Sequence, residues 1–142
     1  MKLKIISKSG VLPKYETEGA AGFDIKAYLK NDFILKSGER ALVPTGLFFQ
    51  IPKGYEAQVR ARSGLAIRNG IGLVNGIGTV DSDYRGEIKV PLINWSHEDF
   101  TIHNGDRIAQ VVINKYEYVE FEITDKLSYT ERGEGGFGHT GV

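Results

Sequence analysis

Between residues 78 and 86 the chain sets two carboxylates, a tyrosine and an arginine between two glycines: Gly78-Thr79-Val80-Asp81-Ser82-Asp83-Tyr84-Arg85-Gly86. Carboxylates of this kind can serve as a base toward water. Apolar alternation flanks the stretch, with Ile71, Leu73 and Ile77 before it and Ile88, Val90 and Leu92 after it. The pattern predicts a hairpin or tight bend joining two strands. A loop dense in functional groups and held by rigid strands is a frequent setting for chemistry. Asp, Ser and Gly are also ordinary turn formers, so the stretch alone reads equally as a solvated turn.

Three further segments bear on that choice. Arg62-Ser63-Gly64-Leu65-Ala66-Ile67-Arg68-Asn69-Gly70 interrupts the strand pattern. It predicts one short helix with Ser63 as N-cap and Gly70 as stop. The unpaired N–H groups of a helix start, a glycine at position 64 and the charges of Arg60, Arg62 and Arg68 fit a phosphate site. An ordinary capped helix with solvated arginines fits the same residues. The stretch Arg132 to Gly141 has glycine at 133, 135, 136, 138 and 141. It cannot hold a shape alone, because glycine loses the most backbone entropy on ordering. A flexible tail is one reading. The other is an arm that orders over a nucleotide, with glycine N–H groups, Arg132 and Thr140 toward phosphates and Phe137 stacked on a base. It is not a Walker A loop, since it has no Gly-Lys-Ser/Thr. Gly105-Asp106-Arg107-Ile108-Ala109-Gln110-Val111-Val112-Ile113 reads as a turn entering a strand. Asp106 and Arg107 are expected to form a structural ion pair. Gln110, amid apolar neighbours, needs a hydrogen-bond partner if buried.

The elements that must position these segments are short strands. Phe23, Ile25 and Ala27 alternate with Asp24 and Lys26; Leu47, Phe49 and Ile51 alternate with Phe48 and Gln50. Ala57, Val59 and Ala61 repeat the pattern, as do Val119, Phe121 and Ile123. With 18 glycines to punctuate them, these runs predict an all-β sandwich or barrel. A single domain over residues 1–142 is expected, with 131–142 as a flexible C-terminal arm. A chain of this size buries roughly two thirds of its unfolded surface. The 18 basic and 18 acidic side chains cancel, which argues against general nucleic-acid binding. The absence of cysteine excludes disulfides, thiolate nucleophiles and Cys-based zinc sites, and fits a reducing compartment. The segment Met1-Lys2-Leu3-Lys4-Ile5-Ile6-Ser7 is too short and charged for a signal peptide, and no apolar run reaches membrane-spanning length. A soluble cytoplasmic protein without a membrane partner is expected. His97, His103 and His139 lack helix-like metal spacing, so no protein-built zinc site is expected.

Taken together, the chain resembles the trimeric deoxyuridine triphosphate nucleotidohydrolase (dUTPase) family. Five motifs carry the resemblance in the family's order: Ala21-Gly22-Phe23-Asp24-Ile25-Lys26-Ala27, Arg62-Ser63-Gly64-Leu65-Ala66, Gly78 to Gly86, Gly105 to Gln110, and Arg132 to Gly141. Each motif is weak alone, but all five in order and properly spaced are highly specific. The resemblance implies a jelly-roll-like distorted β-barrel. It implies a homotrimer in which the tail of one subunit closes a site built by the other two. The implied reaction takes dUTP and water to dUMP and pyrophosphate, which limits uracil in DNA and supplies dUMP for thymidylate synthesis. Magnesium would be bound mainly through the substrate phosphates, with no direct protein ligand.

The resemblance also implies roles for residues. Asp81 would hold and activate the attacking water. Asn75 and the backbone of Gly78, Thr79, Val80 and Asp81 would read uracil, and Tyr84 would pack on the deoxyribose. Arg62, Ser63, Gly64 and Gln110 would contact phosphates, and Lys89 would line the site. Arg132 would reach the terminal phosphate, and Phe137, with Gly138 beside it, would cap the uracil ring. Asp24 is carried over as a structural or outer-shell group near the metal. Two positions depart from the family pattern: His139 stands where serine is common, and Ala61 where proline often precedes the arginine. The chemistry agrees with these roles. Water attack on a phosphoanhydride needs a carboxylate base, charge neutralisation and exclusion of bulk water. Uracil offers N3–H as donor and O4 as acceptor, cytosine reverses both, and a fixed backbone rejects the mismatch. A dCTP deaminase-like enzyme of the same fold, a dUTP-binding regulatory module and a structural jelly-roll subunit are the alternatives. The deaminases usually show Arg-Ser-Ser where this chain has Arg62-Ser63-Gly64.

Overall fold

Period-two alternation puts every second side chain on one face of a strand, and those faces must be covered. In this protein they cover each other. The computed structural model describes residues 1–137. Its elements are β1 (Lys4–Ser7), β2 (Gly22–Lys26), β3 (Phe33–Leu35), β4 (Arg40–Gln50), β5 (Tyr55–Arg60), α1 (Ser63–Asn69), β6 (Ile71–Leu73), β7 (Ile77–Val80), β8 (Glu87–Asn94), β9 (Phe100–Ile102) and β10 (Arg107–Lys115). One four-stranded sheet runs β1-β4-β8-β6, a second runs β2-β10-β5-β7, and β3 pairs β9. Every pairing is antiparallel. The architecture is all-β and jelly-roll-like, and among the described residues no sheet closes on itself.

The buried faces meet in one core. Phe23 and Ile25 come from β2, Leu47 and Phe49 from β4, Ala57 and Val59 from β5, and Ile88, Val90 and Leu92 from β8. Each fully buried aliphatic side chain of this size contributes roughly 1.5–3 kcal/mol. The one side chain amide in the core, Asn94, is fully bonded: Nδ2 donates to the Leu35 and Glu98 carbonyls, and Oδ1 accepts from Ser96 N–H and Oγ–H. Beside it Trp95 lies across Gly72, where any Cβ would overlap the indole. Among the described residues no helix is long and apolar enough to cross a membrane.

Three expectations are corrected. Of the two readings of the 78–86 stretch the hairpin is excluded and the bend stands: β7 belongs to the β5 sheet and β8 to the β4 sheet, so the bend joins two strands of different sheets. Ile71–Leu73 is likewise a separate strand from β7, split off by the turn at Val74–Gly76. Alternation reports that a residue lies in a strand, not which strand it pairs with. Second, Val119, Phe121 and Ile123 form no strand, and Phe121 and Ile123 are 92% and 101% exposed. Their alternation finds no edge within the described chain, and an unpaired strand is not stable alone. Third, α1 has Arg62 rather than Ser63 at its N-cap, without a side-chain cap bond. Gly70 ends α1 as expected, in the left-handed conformation (φ 64°).

The β3–β9 ladder pairs Phe33 with Ile102, so Asp32 and His103 stand opposite each other one step further on. His103 Nδ1 lies 2.9 Å from Asp32 Oδ2. This hydrogen bond and the Asp32 charge raise the His103 pKa above its ordinary value of 6.5. A pKa raised by folding adds stability below the unfolded value, and that contribution fades as pH rises through the folded value. An NMR titration of His103 should therefore show a midpoint above 6.5, and Asp32→Asn should bring it down toward 6.5. An unchanged midpoint in the variant would remove Asp32 as the cause.

Candidate active site

The bend between the sheets opens into a cleft of about 510 Å³. Asn75, Gly78, Thr79, Val80, Asp81, Tyr84 and Lys89 all line it. Their placement follows from the topology. β7 is the last strand of its sheet, so one side of its backbone is unpaired among the described residues. An edge of this kind presents N–H and C=O groups to whatever lies beside it. Asn75 sits in the turn that leads into β7, its carbonyl accepting from Ile77 N–H at 2.8 Å. Asp81 is exposed at the far end of β7, and its carbonyl accepts from Tyr84 N–H at 3.2 Å. Arg85 staples the bend from outside, donating from one guanidinium nitrogen to the Ser82 and Tyr84 carbonyls.

Sequence reasoning missed several residues of the cleft, namely Glu87, Leu42, Pro91, Val59 and Ile88. A signal existed for two of them. Glu87 and Pro91 share the outward parity of Lys89 on β8, opposite to buried Ile88, Val90 and Leu92. Leu42 pairs with Pro91 across the β4–β8 ladder, a proximity no local pattern carries.

The residues expected to contact phosphates form a second group. Arg62 Nε donates to Asp24 Oδ1 at 3.1 Å, and an Arg62 terminal nitrogen donates to the Arg107 carbonyl at 3.2 Å. Arg107 donates to the other Asp24 oxygen, also at 3.2 Å. The expected Asp106–Arg107 pair is thus corrected: Arg107 turns to Asp24, while Asp106 accepts from His103 N–H. Gln110 Nε2 donates to the Ala61 carbonyl at 3.0 Å, which supplies the partner its surroundings demand. Ser63 is exposed, and the Arg68 guanidinium lies close over Gly64. With both Asp24 oxygens occupied by arginines, Asp24 acts here as the group that sets Arg62 in place. Among the described residues no three His, Asp or Glu side chains cluster to hold a metal ion.

One chain does not bring the two groups together. In the β5–β7 ladder Val80 faces Ala57 and Ile77 faces Arg60, so Asp81 stands level with Glu56. From Glu56 to Arg62 the extended chain covers roughly 20 Å. Arg62, Ser63, Gly64 and Gln110 are absent from the cleft's lining. So are Arg132, whose Nε donates to the Gly135 carbonyl, and the exposed Phe137. Gly138, with His139 and Thr140, lies outside the described residues.

Removing Asp24 leaves two guanidinium groups side by side without their counter-charge. Asp24→Ala is expected to cost about 1–3 kcal/mol in chemical denaturation, the range for an orphaned, partly buried charge. Glu16→Ala, which deletes exposed 3.9 Å contacts to Arg107 and Lys14, should stay within about 0.5 kcal/mol. Equal effects would mean that Asp24 does not organise the arginines.

Comparison with known proteins adds the family. The dUTPase family model matches residues 8–141. The deoxyuridine 5'-triphosphate nucleotidohydrolase of Finegoldia magna is 56% identical over 142 residues, covering 99% of each chain. That of Fusobacterium nucleatum is 58% identical over 142 residues, covering 99% of this chain and 97% of its own. A solved structure of Staphylococcus bacteriophage 80alpha dUTPase with dUPNHPP superposes with a TM-score of 0.90 at 25% identity, over 99% of both chains. With a family model over nearly the whole sequence and relatives more than half identical end to end, the chain belongs to the dUTPase family.

Proposed function

We propose that this chain hydrolyses dUTP to dUMP and pyrophosphate at sites assembled from several copies of itself. The observation that carries the reading is the single bend that unites an edge-strand backbone, Asp81 and Tyr84 in one cleft. The unpaired side of β7 can offer uracil a fixed set of donors and acceptors, as a neighbouring strand would. Gly78 supports this placement. Its φ is not positive, and an added Cβ would meet only ordinary contacts at 3.4 Å from Val59 and Asn75. The chain itself does not require glycine there; a base lying flat on the backbone would.

Asp81 at the end of the same strand is the base that holds and activates water, and Asn75 and Lys89 complete the wall of the cleft. Arg62, Ser63, Gly64 and Gln110 bind the phosphates, with Arg132 at the terminal one, and Phe137 and Gly138 close over the uracil. Magnesium accompanies the triphosphate and is held by its oxygens. Residues 1–142 act as one domain, with 131–142 as the closing arm, and the cysteine-free composition suits a cytoplasmic setting.

Two features support the shared site, which the family resemblance places in a homotrimer. The groups for base and for phosphate are separated along β5, so one copy supplies one set and another copy the second. Exposed Val119, Phe121 and Ile123 carry strand alternation without an edge of their own, which suits a chain end that packs on a neighbour. A panel of nucleoside triphosphates with pyrophosphate detection tests the activity, with release from dUTP far above the others as the expected result. In the same assay Asp81→Asn should lose about 10² to 10⁴ in rate, the usual share of a general base. That is roughly 3–5 kcal/mol of barrier. Near wild-type turnover would remove Asp81 from its role.

Assembly has its own test. A chain lacking Arg132 to Val142 and an Asp81→Asn chain should each be nearly inactive. Co-expressed as verified mixed oligomers, they should regain activity, because one site can then combine an intact arm with an intact Asp81. No recovery would refute the shared site and leave the hydrolase reading standing.

A further inference from the structure

Glu87 follows the bend that carries Asp81 and Tyr84, and it makes more contacts than a surface carboxylate needs. Tyr84 is 47% exposed, so packing alone does not fix its ring. Its hydroxyl donates to the Glu87 carbonyl at 3.1 Å, which ties the tip of the ring to the first residue of β8. Gly86 makes room for that closure, since any Cβ there would overlap the Tyr84 hydroxyl and ring. The Glu87 side chain then reaches away from the bend. One oxygen accepts from Gly46 N–H at 2.8 Å, and the other lies 3.7 Å from Lys8 Nζ. The Glu87 side chain is only 14% exposed, so these contacts are partly shielded from water.

Gly46 offers its N–H because β4 bulges there. The β4–β8 register shifts between Pro44 and Leu47, and Gly46 adopts φ 67°. Beside it Thr45 Oγ1 donates to the Ile88 carbonyl at 2.5 Å. The bulge thus grips two consecutive residues at the exit of the bend. Bulges next to functional sites commonly re-aim side chains in this way.

We infer that Glu87 is a positioning residue for sugar selection, holding Tyr84 against the place of the deoxyribose through the β4 bulge at Gly46. The inference rests on the dUTP-hydrolase reading of the cleft. A ring pinned at its tip leaves no space for a 2′-hydroxyl, whereas a ring free to swing aside admits one.

The test compares kcat/KM for dUTP and UTP. The wild type should strongly favour dUTP. Glu87→Ala keeps the backbone carbonyl that Tyr84 binds and removes the side-chain anchor on Gly46 N–H, and should lower that ratio by about threefold to tenfold, chiefly through a lower KM for UTP. Glu87→Gln retains an oxygen to accept from Gly46 N–H and loses only the charge facing Lys8, so it should keep the ratio within about twofold. Tyr84→Phe, which removes the tether itself, should lower the ratio at least as far as Glu87→Ala, and the double variant should fall no further than Tyr84→Phe. If Glu87→Ala does not fold, Glu87→Asp, too short to keep the bond to Gly46 N–H, takes its place. An undiminished ratio in Glu87→Ala or its stand-in, or in Tyr84→Phe, or an equal loss in Glu87→Gln, overturns the inference. Equal use of dUTP and UTP by the wild type would overturn the underlying reading and this inference with it.

Discussion

The chain between Val80 and Glu87 must cross from one sheet to the other with no paired strand to hold it. Everything at the cleft depends on how that crossing is fixed. β5 holds the entry through its ladder with β7, and β4 holds the exit through its ladder with β8. Between the two, the bend is closed by short bonds: Tyr84 N–H to the Asp81 carbonyl, the Arg85 guanidinium to two carbonyls, and the Tyr84 hydroxyl to Glu87. A crossing pinned at both ends keeps Asp81 exposed and oriented without burying it. That suits a group that must meet water, and it leaves the β7 edge open beside it.

Charge is handled differently at the other end of β5. There three side chains, Arg62, Asp24 and Arg107, form a chain of bonds in which the carboxylate serves both guanidinium groups. Asp24 bonds both guanidinium groups and Glu16 lies 3.9 Å from Arg107, so each arginine has a carboxylate close by. Lone surface ion pairs contribute little, but here the carboxylate has two guanidinium partners, and the Arg62 and Asp24 side chains are 23% and 16% exposed. Positioning a guanidinium matters more for function than the modest stability such a network adds.

The two ends are complementary but apart. A compact β-sandwich buries its strands and places chemistry at their ends, so groups at opposite ends of one strand cannot serve one small ligand. The separation along β5 supports the proposal that a second copy of the chain completes the site. The exposed apolar stretch from Val119 to Ile123 points the same way, since burying it against another chain would remove its contact with water.

Much was legible in the sequence. Alternation located β2, β4, β5 and β8 with the correct inward faces, because burial on one side of a strand demands it. Gly70 stopped α1, because the helix end needs a positive φ. Asn75, Gly78, Asp81, Tyr84 and Lys89, chosen by chemistry and resemblance, do share a cleft. Pairing was not legible. The segment at 78–86 read as a hairpin or a tight bend and is a bend between different sheets, Asp106 read as the partner of Arg107 and Asp24 is, and Val119–Ile123 read as a strand and has no edge. Glu87 gave no local sign of its reach to Gly46, 41 residues away. Residue type and periodicity determine what a segment can do and which face it hides, since both act within a few residues. Which strand lies beside which is decided only when distant faces compete for the same core, and that competition takes place in three dimensions.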